Sequence, residues 1–580
     1  MRIISTLVGM LKLGNMLKLG TMLLLVAMLL PVGMLKLENM LKLGTMLKLG
    51  TMLLLVAMLL LASACGNRES GMDRTVPGTA SGSGDKPNII LIYADDLGIG
   101  LLGHEGQQII PTPHIDKLAA EGLRFTNAYS SMLCAPARAS LITGMHDCHS
   151  QAFEITNAGI YKEIGSGEAT LQEVEDAINS SLSPVPEDAV FLAQLAREAG
   201  YVTAQFGKLE WGFAATHSQM ERHGWDRYFG YLDHIRAHGF YPPYLFGNGE
   251  LYPISGNTRS DCGKSGEPET PDNYAERWDM TGKEVYSQEV FVDSILGFLD
   301  QNKDRPFFLY FPTQLPHGPV SIPEVHPAVA DDDRLTQIEK EYASMVIMLD
   351  EHVGRIMQEL KNLQIDDRTI VIFTSDNGHE IYYAQEGRIH KPYVNMQTGK
   401  MFDNLEHKYY SGPAGDVFDG NGGRAGLKRS NLQGGVRVPL IVHWPGVVRP
   451  GQLSERLVAA YDFLPTFAEL VGYPEPFMSD GLSFYGELSG GGVEKEHDHL
   501  VFSSFTGPAL ICSDGWKIRS DLAKDVFEIY YLPDDFREEN NLAEAKPEKL
   551  EELKQLLLQA CDGDFQNGLY LPQKSQIPVR

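Results

Sequence analysis

Asn88–Asp96 reads NIILIYADD and Thr369–Asn377 reads TIVIFTSDN. Each is a short, unbroken apolar and β-prone run. That is the pattern of a strand buried on both faces, as strands of a parallel sheet are. Each run ends in side-chain oxygens, Asp95 and Asp96 in the first and Asp376 and Asn377 in the second. In open α/β sheets, sites form beyond the carboxyl ends of the strands. Two parallel strands ending this way bring four oxygen-bearing side chains to one edge. Such a set suits a hard cation, calcium first and magnesium as the other candidate. The plainer alternative is a helix N-cap with a spare acid.

Cys134–Gly144 reads CAPARASLITG. Pro136 suits a first helical turn, where a missing N–H costs nothing. Arg138 to Thr143 can continue the helix, and Gly144 is a natural stop just past its end. Cys134 then stands at a helix N-terminus, where free N–H groups and the dipole favour an anion. Arg138 lies one turn on, on the same side. A reactive residue above an anion cradle is what hydrolysis of a charged ester needs. A structural cysteine before an ordinary helix is the bland alternative.

The 580 residues have room for one large α/β domain and a smaller one. Their 49 Lys and Arg against 76 Asp and Glu give a formal charge of -27. This argues against nucleic acid or an anionic membrane surface as a general partner. An anionic substrate would have to meet positive charge concentrated in a pocket.

Met16–Leu30 reads MLKLGTMLLLVAMLL, and Met46–Leu60 repeats it letter for letter. The copies have no polar face, and we read a duplicated export signal or a start codon placed too early. Lys48, the apolar run Met52–Leu61 and then Ala62-Ser63-Ala64-Cys65 suffice as a signal. Small residues before Cys65 resemble a bacterial lipoprotein cleavage site. That implies export to a bacterial periplasm or cell envelope, with the lipid on Cys65 as the only membrane attachment. The apolar run is short for an uncleaved span. Gly66–Lys86, rich in Gly, Ser and Thr, is expected to be a flexible tether reaching roughly 25 Å. The expected boundaries are 1–64 signal, 65–86 tether, 87–485 catalytic domain and 486–580 small C-terminal subdomain. Cys148, Cys262, Cys512 and Cys561 remain, and spacing alone assigns no pairing among them.

Further along, Pro111–Gly122 reads as a capped helix that packs through Ile115, Leu118 and Ala119. A helix is expected over Ala189–Gly200 and a strand over Tyr201–Phe206. The aromatic stretch Gly224–Phe246, with His234 and His238, is either a sugar-binding wall or a packed loop. Arg305–Phe311 reads as a strand, Ile381–Gly426 as an insertion that forms a lid or a binding surface. Leu440–Trp444 is a strand and Tyr461–Gly472 a helix. From Leu500, short strands separated by turns and a helix near Pro547–Leu557 predict an antiparallel sheet with a packed helix.

The Cys-x-Pro-x-Arg stretch with its attached Leu-x-Thr-Gly resembles the type I sulfatase signature, in which the cysteine is oxidised to formylglycine. The family usually has Ser or another small residue at Ala137. The resemblance runs from Pro87 to about Ala560. It implies the alkaline-phosphatase-like α/β fold: a large mixed, mostly parallel sheet sandwiched by helices, with a small C-terminal antiparallel α+β subdomain. It places calcium on Asp95, Asp96, Asp376 and Asn377, with modified Cys134 as a further ligand. Lys208, in Gly207-Lys208-Leu209-Glu210-Trp211-Gly212, matches a sulfate-binding lysine. Lys428, in the segment Gly426–Pro439, matches another, although Gln433 replaces the family's usual Glu. His317 matches a histidine beside the bridging oxygen, and Arg138 joins the catalytic set.

The family's second histidine in the Gly-Lys-x-His pattern is Glu210 here. Residues two apart in an extended segment share a side, so Glu210 is expected beside Lys208 as the base for sulfate release. His146 and His149 are the other candidates. The resemblance implies a sulfated carbohydrate or aryl sulfate as substrate and a formylglycine-generating enzyme as maturation partner. The alternatives are a phosphonate monoester or phosphodiester hydrolase on the same scaffold, or a dead scaffold that binds glycans.

Overall fold

The computed structural model describes residues 86–149, 160–181, 189–211, 214–258, 278–383, 389–390, 394–395, 397–492 and 495–570. The signal, the tether, Cys65 and Cys262 lie outside the described residues. The strands of the first half are β1 (Asn88–Ala94), β2 (Leu123–Tyr129), β3 (Val202–Lys208), β4 (Arg227–Tyr231), β5 (Tyr244–Gly247), β6 (Glu250–Pro253) and β7 (Phe307–Pro312). Those of the second are β8 (Thr369–Ser375), β9 (Ile389–His390), β10 (Val394–Asn395), β11 (Leu440–His443) and β12 (Gln452–Ala459). The C-terminal strands are β13 (His499–Phe502), β14 (Ala509–Cys512), β15 (Trp516–Asp521) and β16 (Val526–Tyr531).

Ten of these form one sheet in the order β12-β2-β11-β8-β1-β7-β3-β4-β5-β6. The centre, β8-β1-β7-β3-β4, is parallel throughout. β11 runs antiparallel to both neighbours, and β5 and β6 close the far edge as antiparallel strands. β1 is buried on both faces, as the apolar run predicts. Ile90 and Ile92 face the helices Ser287–Asn302 and Gln337–Asn362, while Ile89, Leu91 and Tyr93 face Leu192–Glu198 and Phe463–Val471. Each aliphatic side chain so buried contributes about 1.5–3 kcal/mol relative to exposure. The mixed sheet between helices and a separate antiparallel sheet, β13-β14-β15-β16, match the expected fold class.

Register fixes the edge. Ala94 pairs with Ser375, the last residues of β1 and β8. The Asp376 amide donates to the Ala94 carbonyl at 3.1 Å, so the acids leave the sheet side by side. β7 ends one strand away, and the Asp95 amide donates to the Leu315 carbonyl at 3.0 Å. Lys208 is the last residue of β3. Four strands therefore discharge their polar residues at one edge.

The Gly224–Phe246 stretch holds β4 and most of β5, joined by a turn-rich loop, and the fold buries most of its aromatics as core. The described part of Ile381–Gly426 also packs inward. Tyr409 and Phe418 are buried in the core on the Gln337–Asn362 side, and the Tyr383 and Tyr409 hydroxyls donate to Asp416 at 2.7 and 2.6 Å. The 26-residue helix Gln337–Asn362 and the strands β2 and β12 are elements that the sequence reading passes over. No helix among the described residues is long and apolar enough to cross a membrane.

The loop carrying Lys428 is held against the end of β8 by backbone contact. The Gly378 amide donates to the Gly435 carbonyl at 2.9 Å, and the Lys428 amide donates to the His379 carbonyl at 2.9 Å. A Cβ at Gly378 would overlap the Gly434 carbonyl oxygen, which no side-chain rotation relieves. Gly378→Ala should therefore cost about 1–3 kcal/mol or more in denaturant unfolding. An unchanged midpoint would show that this approach is not required.

Candidate active site

Cys134 opens the helix Cys134–Thr143, and Gly144 ends it at φ 71 with its amide donating to Ser140. Cys134 is buried beneath Leu500, Phe502 and Ile511 of the C-terminal sheet. One turn on, Arg138 is fully buried and donates to Asp376 Oδ2 at 2.8 Å. It also lies 3.4 Å from Asp95 Oδ2, and its guanidinium sits over the Tyr93 ring.

The remaining predicted residues form the same network. Lys208 Nζ donates to Asp95 Oδ2 at 2.7 Å, and Lys428 Nζ donates to Asp96 Oδ2 at 2.7 Å. Asn377 Nδ2 donates to Asp96 Oδ1 at 2.6 Å. His317 Nε2 accepts from Lys428 at 3.0 Å, while its Nδ1–H turns to the Gly318 carbonyl. Three carboxylates thus meet three cations away from solvent. Burial opposes ionisation of Asp95, but Lys208, then Arg138 and Lys428, outweigh it and hold the group well below the usual range. Asp376 goes the other way: burial, then the Asp95 charge, push it up to about 8 against Arg138. Burial, then the Lys428 charge, hold His317 well below its usual value, so its ring is neutral.

A cation fits this edge. One donor atom each from Asp95, Cys134 and Asp376 lies within 4.8 Å of the others, and so does one each from Asp95, Asp96 and His317. Among the described residues, Asp95 Oδ1 and Asn377 Oδ1 are buried oxygens without a hydrogen-bond donor. Buried oxygens left so are costly unless something positive meets them.

Glu210 is placed elsewhere. Its Oε2 meets His223 Nδ1 at 2.6 Å, and its Oε1 accepts from the Trp225 indole N–H. The alternation argument does not apply because β3 ends at Lys208 and Glu210 takes a left-handed backbone, φ 59. That turn sends the carboxylate into the Phe191–Trp211–His223 stack. His146 and His149 stack on each other at 3.8 Å and hold Asp480, with His149 also on Asp562.

Three residues join the site that the motifs did not single out. Tyr382 donates its hydroxyl to Asp96 and lies 3.4 Å from Lys428 Nζ. The His238 ring stacks on His317 at 4.2 Å with 7° between the planes. His234 is buried within the electrostatic reach of Lys208, Arg138 and Asp95. Both histidines follow β4, whose Tyr231 pairs with Lys208 in parallel register, so the strand delivers them to the same edge. The four-residue spacing of His234 and His238 was the available signal, masked by the aromatic run around it.

A family model described as Sulfatase matches residues 87–473. Human N-acetylgalactosamine-6-sulfatase is 29% identical over 415 residues, which cover 70% of this chain and 67% of that protein. N-acetylgalactosamine-6-O-sulfatase of Bacteroides thetaiotaomicron is 28% identical over 540 residues, covering 84% and 96%. A solved structure from work on glycosaminoglycan metabolism by Bacteroides thetaiotaomicron aligns with a TM-score of 0.61 at 25% identity, covering 82% of this chain and 100% of that one.

The position of Glu210 makes a direct prediction. Glu210→Gln removes the charge that meets His223 and should cost about 1–3 kcal/mol in urea unfolding. Affinity for an added divalent cation, read by calorimetry, should be unchanged. A loss of affinity with no loss of stability would return Glu210 to the site.

Proposed function

The chain belongs to the sulfatase family and is a sulfuric ester hydrolase, and we propose that its substrate is a sulfate monoester on an N-acetylhexosamine-containing glycan. The reading rests on one observation: three cations and three carboxylates converge on a cysteine at a helix N-terminus. The names of the relatives support a 6-O-sulfated N-acetylgalactosamine as the first sugar to test.

Calcium, or magnesium in its place, would be held by Asp95, Asp96, Asp376, Asn377 and the side chain at 134, and would supply positive charge to a sulfate oxygen. Formylglycine made from Cys134 by a maturation enzyme would, once hydrated, supply one hydroxyl to attack sulfur and a second whose deprotonation expels sulfate. The protein's own residues do the rest. Arg138, Lys208 and Lys428 carry their charges into a water-poor pocket and neutralise the oxygens where negative charge builds up. His317 keeps its Nδ1–H on Gly318, so its Nε2 lone pair faces the Lys428 ammonium. Lys428 therefore holds the proton that the leaving alcohol needs. Stacking of His238 fixes the His317 ring plane. Glu210 supports this pocket by fixing Trp225 and His223, and takes no proton in the reaction.

Export and lipid attachment at Cys65 are also proposed, from residues 46–65 of the sequence alone.

The experiment is a comparison of substrates on protein produced with a formylglycine-generating enzyme. It should release sulfate from 4-nitrophenyl sulfate and from N-acetylgalactosamine 6-sulfate, and hydrolyse bis(4-nitrophenyl) phosphate far more slowly. Peptide mass spectrometry should find the aldehyde at position 134. Cys134→Ala should lose at least about a thousandfold in kcat. Faster diester hydrolysis would favour the phosphodiesterase alternative. Glycan binding without sulfate release, with the aldehyde present, would favour the dead scaffold. Full activity with an unmodified thiol would overturn the mechanism.

A further inference from the structure

Cys148 lies in the loop that follows the Cys134 helix, and Cys561 caps the C-terminal helix Pro547–Ala560. They are far apart in sequence, yet both are fully buried in one apolar cluster with Val501, Ile518, Leu553 and Leu557. The Cys148 thiol donates to Asp147 Oδ1 at 3.7 Å; burial raises that thiol's pKa, and Cys561 is close enough to push it further up. The residues on either side make the same connection. Asp147 accepts from the Ser503 amide at 3.0 Å and from the Ser503 hydroxyl at 2.7 Å. His149 Nδ1 meets Asp562 at 3.2 Å. Three consecutive residues, 147 to 149, thus hold β13 and the end of the C-terminal helix.

We propose that Cys148 and Cys561 form a disulfide that fastens the C-terminal sheet and helix to the loop behind the nucleophile. The reaction joins the two sulfurs in one S–S bond. It releases two protons to solvent and passes two electrons to a disulfide oxidant, which is reduced to two thiols. The fold does the pairing, since only folding brings these two cysteines together. Burial, then the Cys561 thiol, keep Cys148 protonated when reduced, so the closed protein offers little thiolate for exchange. Oxidation therefore belongs to the folding chain or to transient opening, and the finished bond is shielded from reductant. A link across so long a loop constrains the unfolded chain strongly. It also retains Leu500, Phe502 and Ile511 over Cys134.

The test uses the full-length wild-type protein, refolded with oxidised glutathione, alkylated with N-ethylmaleimide in denaturant and digested without reduction. Mass spectrometry should recover the Cys148 and Cys561 peptides as one linked pair lacking two hydrogens. Dithiothreitol during unfolding should lower the thermal midpoint of wild type by several degrees, and should leave the midpoints of Cys148→Ser and Cys561→Ser unmoved. Recovery of both peptides alkylated, or of Cys148 linked to Cys512 or Cys262, would overturn the pairing. A wild-type midpoint indifferent to reductant would overturn the fastening role.

Discussion

Three buried carboxyl groups at the ends of two parallel strands are tolerable only because three cations reach them. Removing one ion from water into a protein interior costs several kcal/mol even after relaxation, and breaking one buried pair costs about 3–5 kcal/mol. Asp95, Asp96 and Asp376 are each met by a lysine or arginine within 2.8 Å. The pairing of Ala94 with Ser375 sets this arrangement. A slip of one residue would exchange the faces of β8 and carry Asp376 about 3.3 Å out of step with Asp95 and Asp96.

The rest of the molecule supplies those cations from three directions. Arg138 rises from the helix that starts at Cys134, Lys208 ends β3, and Lys428 sits on a loop held by Gly378. Each is positioned by backbone hydrogen bonding, so the charges are preorganised rather than gathered by the substrate. The C-terminal sheet is part of this construction, because it covers Cys134 and is gripped by residues 147 to 149.

The sheet edge was legible because its signals are local: a buried strand followed at once by acids. The same holds for the Cys134 helix, whose proline and glycine mark its two ends, and for the C-terminal strands with their turns. Other parts were not legible, for definite reasons. β2 and β12 carry polar residues along one face at the flank of the sheet, so they lack the unbroken apolar run of β1. Glu210 was misplaced by assuming that the strand continued past Lys208. Nothing in Leu209-Glu210-Trp211 announces a left-handed residue, and the Trp225 and His223 that hold it come later in the chain. Tyr382 reaches the site by tertiary packing, and the neighbours of both Tyr382 and His238 read as ordinary aromatic core.

The central claim is that the acid edge exists to hold a divalent cation and leave the three cations for the substrate. A crystal structure of the mature protein grown with calcium and a sulfated sugar tests it most directly. The account predicts one calcium among Asp95, Asp96, Asp376 and Asn377, with Arg138, Lys208 and Lys428 directed at the sulfate oxygens. Sulfate bound elsewhere, with all three cations still clasping the carboxylates and no metal between them, would contradict it.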